Sequence, residues 1–376
     1  MKRLNISLVA LIAVLPAVAL AEDIALDEIV VSANQTEIEA ARVGASVTSV
    51  TATDLTGAKG QRGTALLDRL PGVAVRTLGP VGTQAGLTIR GVPHTNVIVR
   101  VDGIDVTDPS GTQVTYDFGR LAISDVSRLE LARGAQSALY GSRAIGGVID
   151  MTTRRATEEG VSHEISAEAG SFKTGALTYG FAAKTGQSDV AFTYSHLETE
   201  GFSAADEELG FTEADGYRAD RLSFAGGTEL QNGLRLSLNG FYDDSWMEYD
   251  EANMGIPLDG TPDEQEARIQ KALRLSAEFE TGAVAHMLEA AYFDSDRLLT
   301  GTNDFGAFRF NFRGTRETLG YRGTTELALG KLTFGAEQVR ETYFDDTGFG
   351  SQTLHTDIAS AYGELAMAPT DALDLV

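Results

Sequence analysis

The chain contains no cysteine among its 376 residues. That excludes a disulfide framework, a thiolate nucleophile and a zinc ribbon. Histidine is scarce, with five residues and no close pair, so a histidine-rich metal centre is excluded as well. Lysine and arginine are outnumbered by aspartate and glutamate, 30 to 54, for a net charge of −24. Such a chain repels phosphate backbones, which removes nucleic acid as a partner. No run beyond the N-terminus approaches the ~20 apolar residues of a membrane helix. The motifs Gly-x-Ser-x-Gly and His-Glu-x-x-His are absent too, and the reading is of a protein that is not an enzyme. Proline is low at 8 and glycine high at 41, a balance that favours strands joined by many turns over a helical bundle.

The N-terminus is an address. Lys2 and Arg3 precede an apolar run from Leu4 to Leu20, and Ala19-Leu20-Ala21 places small residues before Glu22. Residues 1–21 read as a secretory signal peptide. The remaining charge is unevenly spread. Residues 22–155 carry 15 acidic against 13 basic side chains, whereas residues 156–376 carry 39 against 15. A near-neutral globular part is thus followed by a strongly acidic one.

The acidic part alternates at period two, as in Leu234, Leu236 and Leu238 against Arg235, Ser237 and Asn239. Other such stretches are 189–197, 221–230 and 271–279. This is the signature of half-buried strands. Short turn signals, such as Gln231-Asn232-Gly233, separate some pairs, and long acidic stretches at 201–217 and 243–266 separate others. Short turns at one edge, long loops at the other and strands of about 9–11 residues suit a barrel crossing an outer membrane. A soluble β-sandwich shares the alternation but uses shorter strands of about 5–6 residues. At roughly 20 residues per strand and connection, residues 161–376 supply about ten strands. Ala372-Leu373-Asp374-Leu375-Val376 opens another, and the chain reads as an N-terminal fragment.

The near-neutral part holds the most specific motifs. Leu70-Pro71-Gly72-Val73 closes a helix predicted at 64–70. Ile89-Arg90-Gly91 and Val101-Asp102-Gly103 belong to two strands with a hairpin expected at Pro93–Asn96. Tyr140-Gly141 is followed by Gly146-Gly147-Val148-Ile149. In this order and spacing they resemble the plug of TonB-dependent outer-membrane transporters, with Ala135 and Asp150 departing from the usual proline and asparagine. The resemblance covers the chain beyond the signal peptide. It implies an α+β plug domain inside a transmembrane antiparallel β-barrel of about 22 strands, divided into a leader at 22–50, a plug at 51–157 and barrel strands at 161–376.

The resemblance also carries functional expectations. The heptad Asp27-Glu28-Ile29-Val30-Val31-Ser32-Ala33 is similar to the TonB box, the segment handed to TonB and its inner-membrane energising complex. Arg90 and Arg133 are expected to pair with barrel glutamates. Cargo is expected at the plug loop Thr77, Leu78, Gly79, Pro80, Val81 and Gly82, and at the hairpin tip His94, Thr95 and Asn96. Among family members the chain is most similar to cobalamin receptors, the alternative being a ferric-siderophore or haem receptor. Asp206, Glu213, Asp215, Asp243, Asp244 and Asp250 are the carboxylates for a possible calcium ion, Ca2+ drawing on six to eight oxygens. Those same loops, as acidic surfaces, could equally stay hydrated or bridge cations on lipopolysaccharide.

Overall fold

The computed structural model describes residues 29–30, 38–39, 44–57, 63–111, 113–205, 208, 213–249, 264–303, 306–348, 350–370 and 373–375. The leader contributes β1 (Ile29–Val30) and β2 (Ile38–Glu39), a short antiparallel pair. After it come β3 (Ser46–Val50), α1 (Ala52–Gly57) and α2 (Gly63–Leu67). At the start of helix α1, Thr51 N and Oγ1 both donate to Asp54, at 3.0 and 2.8 Å. Those two bonds hold the Asp54 carboxyl below its ordinary range.

Three short strands follow, β4 (Val73–Thr77), β5 (Ala85–Ile89) and β6 (Val92–Pro93), joined in one sheet. Next are β7 (Val97–Val101), β8 (Ile104–Asp105), β9 (Val126–Arg133), α3 (Ser137–Tyr140) and β10 (Gly147–Thr153). The second plug sheet has the order β3-β9-β10-β7-β8, with β10 parallel to β7 and antiparallel to β9. One face of its central strands is apolar: Leu129, Leu131, Ile149 and Met151, which stand side by side in the register, are all buried. Phe241, Ala272 and Phe293 from the second half join this core, so plug and wall share one apolar interior.

The hairpin lies elsewhere than expected. Ile89 pairs with Val92, and the reversal uses Arg90 and Gly91, at φ 51° and 83°. Asp102 and Gly103 (φ 49° and 84°) make an equivalent turn between β7 and β8. Two successive positive φ values are the type I′ geometry that matches strand twist. The Arg-Gly and Asp-Gly dipeptides are therefore turn chemistry. Residues 94–96 form a turn of 3-10 helix. Asp150, the departure from the family pattern, is met by Arg100 at 3.5 Å. Burial pushes its carboxyl up even so.

From Gly160 onward the chain runs up and down in one antiparallel sheet: β11 (Gly160–Ala169), β12 (Gly175–Thr185), β13 (Ser188–Thr199), β14 (Tyr217–Glu229), β15 (Arg235–Glu248), β16 (Gln265–Thr281), β17 (Val284–Asn303), β18 (Gly306–Leu327), β19 (Gly330–Asp346), β20 (Ser351–Thr370) and the short β21 (Leu373–Leu375). Ten full strands form part of a barrel, and among the described residues the sheet does not close on itself. No described helix is long and apolar enough to cross a membrane; these strands do the crossing. On β15, Asn239, Phe241, Asp243, Ser245 and Met247 are buried against the plug, while Leu238, Tyr242 and Asp244 are exposed on the outer face. Strands β16 to β20 reach 17–22 residues, well beyond the ~9–11 that a bilayer needs. Residues 243–248 continue strand β15 rather than opening the expected acidic loop.

A candidate cargo cavity between plug and wall

At the end of the sheet where the 200–216 and 249–264 connections leave, plug and wall enclose a cavity of about 330 Å³. One side is the plug loop bearing Leu78, Thr83 and Gln84. A second is the 106–117 segment, with Val106, Asp108 and Tyr116. The third is the wall: Met247 and Tyr249, then Glu266 and Arg268 of β16, and Arg297 and Leu299 of β17.

The two plug sides are fastened to each other. Asp117 Oδ1 accepts from the amides of Ala85 and Gly119, both at 3.0 Å. Gly82 N donates to Gly119 O, and a Cβ on Gly119 would stand 1.8 Å from Thr83 O. Glycine is required there because two main chains touch.

Charge in the cavity is balanced. Three guanidiniums, of Arg120, Arg268 and Arg297, face three carboxylates, of Asp108, Asp117 and Glu266. Glu266 takes Arg120 at 2.9 Å and Arg268 at 3.1 Å. Asp117 lies 3.7 Å from Arg268, and Asp108 lies 3.4 Å from Arg297. Burial lowers the Arg120 guanidinium's proton affinity, and the neighbouring Arg268 charge adds to that. Burial likewise raises the Tyr116 phenol.

Of the residues expected at the cargo site, Leu78 lines the cavity. Gly79 and Gly82 instead press the same loop onto the wall: Cβ atoms there would lie 2.7 Å from Ala204 Cβ and 2.2 Å from the Tyr217 ring. Thr77, Pro80 and Val81 complete that loop without being among the lining residues. His94, Thr95 and Asn96 stand apart from the cavity. His94 packs edge-on against Phe118, 6.4 Å between centroids, and Asn96 O accepts from Gly146 N at 2.8 Å. They stabilise the plug interior. The 106–117 side was not foreseen, although Asp108-Pro109-Ser110-Gly111 is as dense in turn residues as the loop at 77–84.

Arg90 and Arg133 do not make the expected pairs among the described residues. Arg90 is an exposed turn residue. Arg133 donates to Pro71 O at 2.7 Å and to Thr48 Oγ1 at 2.8 Å, tying plug elements together. Plug and wall are joined instead by other pairs: Arg221 to Asp125 at 2.9 Å, Arg120 to Glu266, Arg316 to Asp105 at 3.3 Å, and Arg154 to Glu164.

Among the described residues, the carboxylates proposed for calcium are not brought together. Asp243 faces the plug, 3.6 Å from Arg221, whereas its neighbour Asp244 points from the outer face. Asp215 Oδ2 accepts from Ala204 N at 2.6 Å, and Glu213 is half-buried beside it in sequence. Asp206 and Asp250 lie outside the described residues. Among those described, no three His, Asp or Glu side chains could hold a metal together. Asp243 and Asp244 belong to opposite faces of one strand, so those two cannot serve one site. Of the heptad 27–33, only Ile29 and Val30 are described, paired with Glu39 and Ile38; Asp27, Glu28, Val31, Ser32 and Ala33 lie outside.

A two-sheet plug packed on an up-and-down sheet of this kind defines a receptor of the bacterial outer membrane. Residues 39–148 match the family model of the TonB-dependent receptor plug domain. It is 31% identical over 238 residues to the vitamin B12 transporter BtuB of Photobacterium profundum, which covers 62% of this chain and 38% of that relative. Over 146 residues it is 37% identical to the vitamin B12 transporter BtuB of Vibrio cholerae, covering 39% of the chain and 23% of the relative. The chain thus spans well under half the length of these curated relatives. Among solved structures, the ferripyoverdine receptor of Pseudomonas aeruginosa superposes with a TM-score of 0.72 at 12% identity, over 92% of this chain and 52% of that one. The ferric yersiniabactin uptake receptor FyuA of Yersinia pestis gives 0.68 at 19%, over 87% and 54%. Those two likenesses establish the fold alone.

Proposed function

We propose that this receptor takes up a corrinoid of the cobalamin type across the outer membrane, and that the cavity forms part of its binding site. The observation that carries the reading is the 31% identity to a vitamin B12 transporter over 238 residues. The cavity's chemistry is compatible with it. Three guanidiniums matched by three carboxylates present donors and acceptors with little net field. That suits a large, amide-rich, nearly neutral cargo better than a polyanionic ferric chelate, which would call for unmatched cations.

Uptake of this kind is not chemistry on the cargo, and the protein acts as a transporter rather than an enzyme. The heptad 27–33 would be offered to TonB by adding a strand to the partner's sheet, where main-chain bonds give grip. The partner's inner-membrane complex supplies the energy.

The test is equilibrium binding of cyanocobalamin to the receptor in detergent, beside a ferric siderophore. Tight cyanocobalamin binding, with deletion of residues 27–33 abolishing uptake but not binding, is the expected result. Binding of the ferric chelate and not of cyanocobalamin would overturn the cargo reading.

A further inference from the structure

Arg316 lies outside the cavity, yet its contacts converge on the root of one cavity wall. Strand β18 turns Gly314 and Arg316 toward the plug, two residues apart, as a strand's period dictates. A Cβ on Gly314 would lie 2.5 Å from Ser110 N and 2.8 Å from Pro109 Cγ. Only glycine lets the main chain of 109–110 lie flat on the strand. One step further, Arg316 Nη1 donates to Asp105 O at 2.8 Å and to Thr107 O at 2.9 Å, while Nε donates to Glu341 at 2.8 Å. From the plug side, Arg143 completes the cluster, donating to Thr107 Oγ1 at 2.9 Å and to Asp105 Oδ2 at 3.1 Å.

This is an arrangement for which arginine is suited and lysine is not. The planar fork serves two carbonyls and a carboxylate together, in a side chain only 3% exposed. Both carbonyls sit where β8 gives way to the segment bearing Val106, Asp108 and Tyr116, three residues of the cavity lining. Strand β17 holds the far part of that segment through Ser295 and Arg297, but its root is set from a wall strand that cargo in the cavity would not touch.

We propose that Gly314 and Arg316 are positioning residues of the cargo site: they seat the 106–116 segment so that the cavity has its shape before cargo arrives. This rests on reading the cavity as the cargo site. A wall already in place spares the cargo the cost of ordering it. If loss of the seat leaves the wall correctly placed a tenth of the time, the apparent dissociation constant rises about tenfold.

Within this chain, which has no cysteine, spin labels are placed at Gln113→Cys in this wall and at Leu78→Cys in the facing one, on the receptor in detergent. The expected result is that Arg316→Met and Gly314→Ala each raise label mobility at 113 and leave it unchanged at 78. Each also weakens cyanocobalamin binding about tenfold, and Arg316→Lys, which keeps charge but not the fork, fails to restore it. Unchanged mobility at 113 in both variants would overturn the proposal, as would equal loosening at 78 and 113, the sign of general unfolding. A wild-type receptor that binds no cyanocobalamin would sink the cargo reading alone, because the mobility comparison still decides whether the seat exists.

Discussion

Replacing Arg221 with methionine strikes the most deeply buried ion pair between plug and wall. Arg221 Nε lies 2.9 Å from Asp125 Oδ2, and the two side chains are 10% and 1% exposed. The guanidinium also sits 4.1 Å from the centre of the Phe241 ring. Methionine preserves most of the volume, so the loss is electrostatic rather than a packing void. Removing one member of a buried pair costs about 3–5 kcal/mol, because the other is left charged and dehydrated. At 1.4 kcal/mol per decade, that amounts to roughly two to three and a half orders of magnitude in the local opening equilibrium. Asp125 stands directly before β9 and its carbonyl receives Arg154 N at 2.9 Å, so the loss should concentrate in β9 and the start of the wall sheet. Amide hydrogen exchange on the receptor in detergent reads it out: protection of residues 126–133 should fall at least a hundredfold. The double variant Asp125→Asn/Arg221→Met removes the nearer of the two stranded charges, Asp243 being the other, and should recover part of the loss. A drop of less than tenfold in the single variant, or a double variant no better than the single, would refute the electrostatic account.

Acid should loosen the root of the 106–116 segment. Burial alone would raise the Asp105 carboxyl, but Arg316 and Arg143 outweigh it and hold it below its ordinary 3.8. A group depressed in the folded state contributes fully above its unfolded value and loses that contribution as pH falls through the folded one. Exchange protection at 104–107 should therefore stay level from neutral pH down to about 5 and decline below about 4, and Asp105→Asn should flatten that decline. Gly119→Ala drives a methyl into Thr83 O, 1.8 Å away, and should cost about 1–3 kcal/mol with weakened cyanocobalamin binding. Thermal unfolding and affinity equal to wild type would contradict the close approach. Leu275→Arg places a charge on the outer face, where Leu275 is 52% exposed beside Leu238. It should cost about 2–4 kcal/mol in liposomes if this face meets the bilayer midplane, and an unchanged unfolding curve there would deny that position.

Much of the wall was legible because a strand's period is local. The alternation around Leu234–Leu238 and the turn at Gln231–Gly233 needed no knowledge of partners, and β15 begins at Arg235 as the pattern implies. The acidic stretch from Asp243 misled, because charge marks the end of a strand only when both faces are apolar. Here Asp243 meets Arg221 inside and Asp244 stands on the outer face. The turn at Arg90 was not legible: the hairpin was expected at Pro93–Asn96, and only the positive φ pair places it at Arg90-Gly91. The loop at 77–84 could be recognised by its turn residues. Arg268 and Arg297 could not, since what makes them cavity residues is their meeting with Asp117 and Asp108, more than 150 positions away in the chain.

The order of the plug sheet has a mechanical corollary. Strand β3 is the first part of that sheet after the leader, and it lies at an edge, bonded to β9 alone. A tensile load applied at the leader would meet a five-residue ladder, with side-chain bonds from Arg133 to Thr48 and Arg128 to Ser49, before it reached any inner strand. Peeling β3 away would leave the β9-β10-β7 ladders unbroken. Under such a load the sheet would yield in stages, its edge strand first.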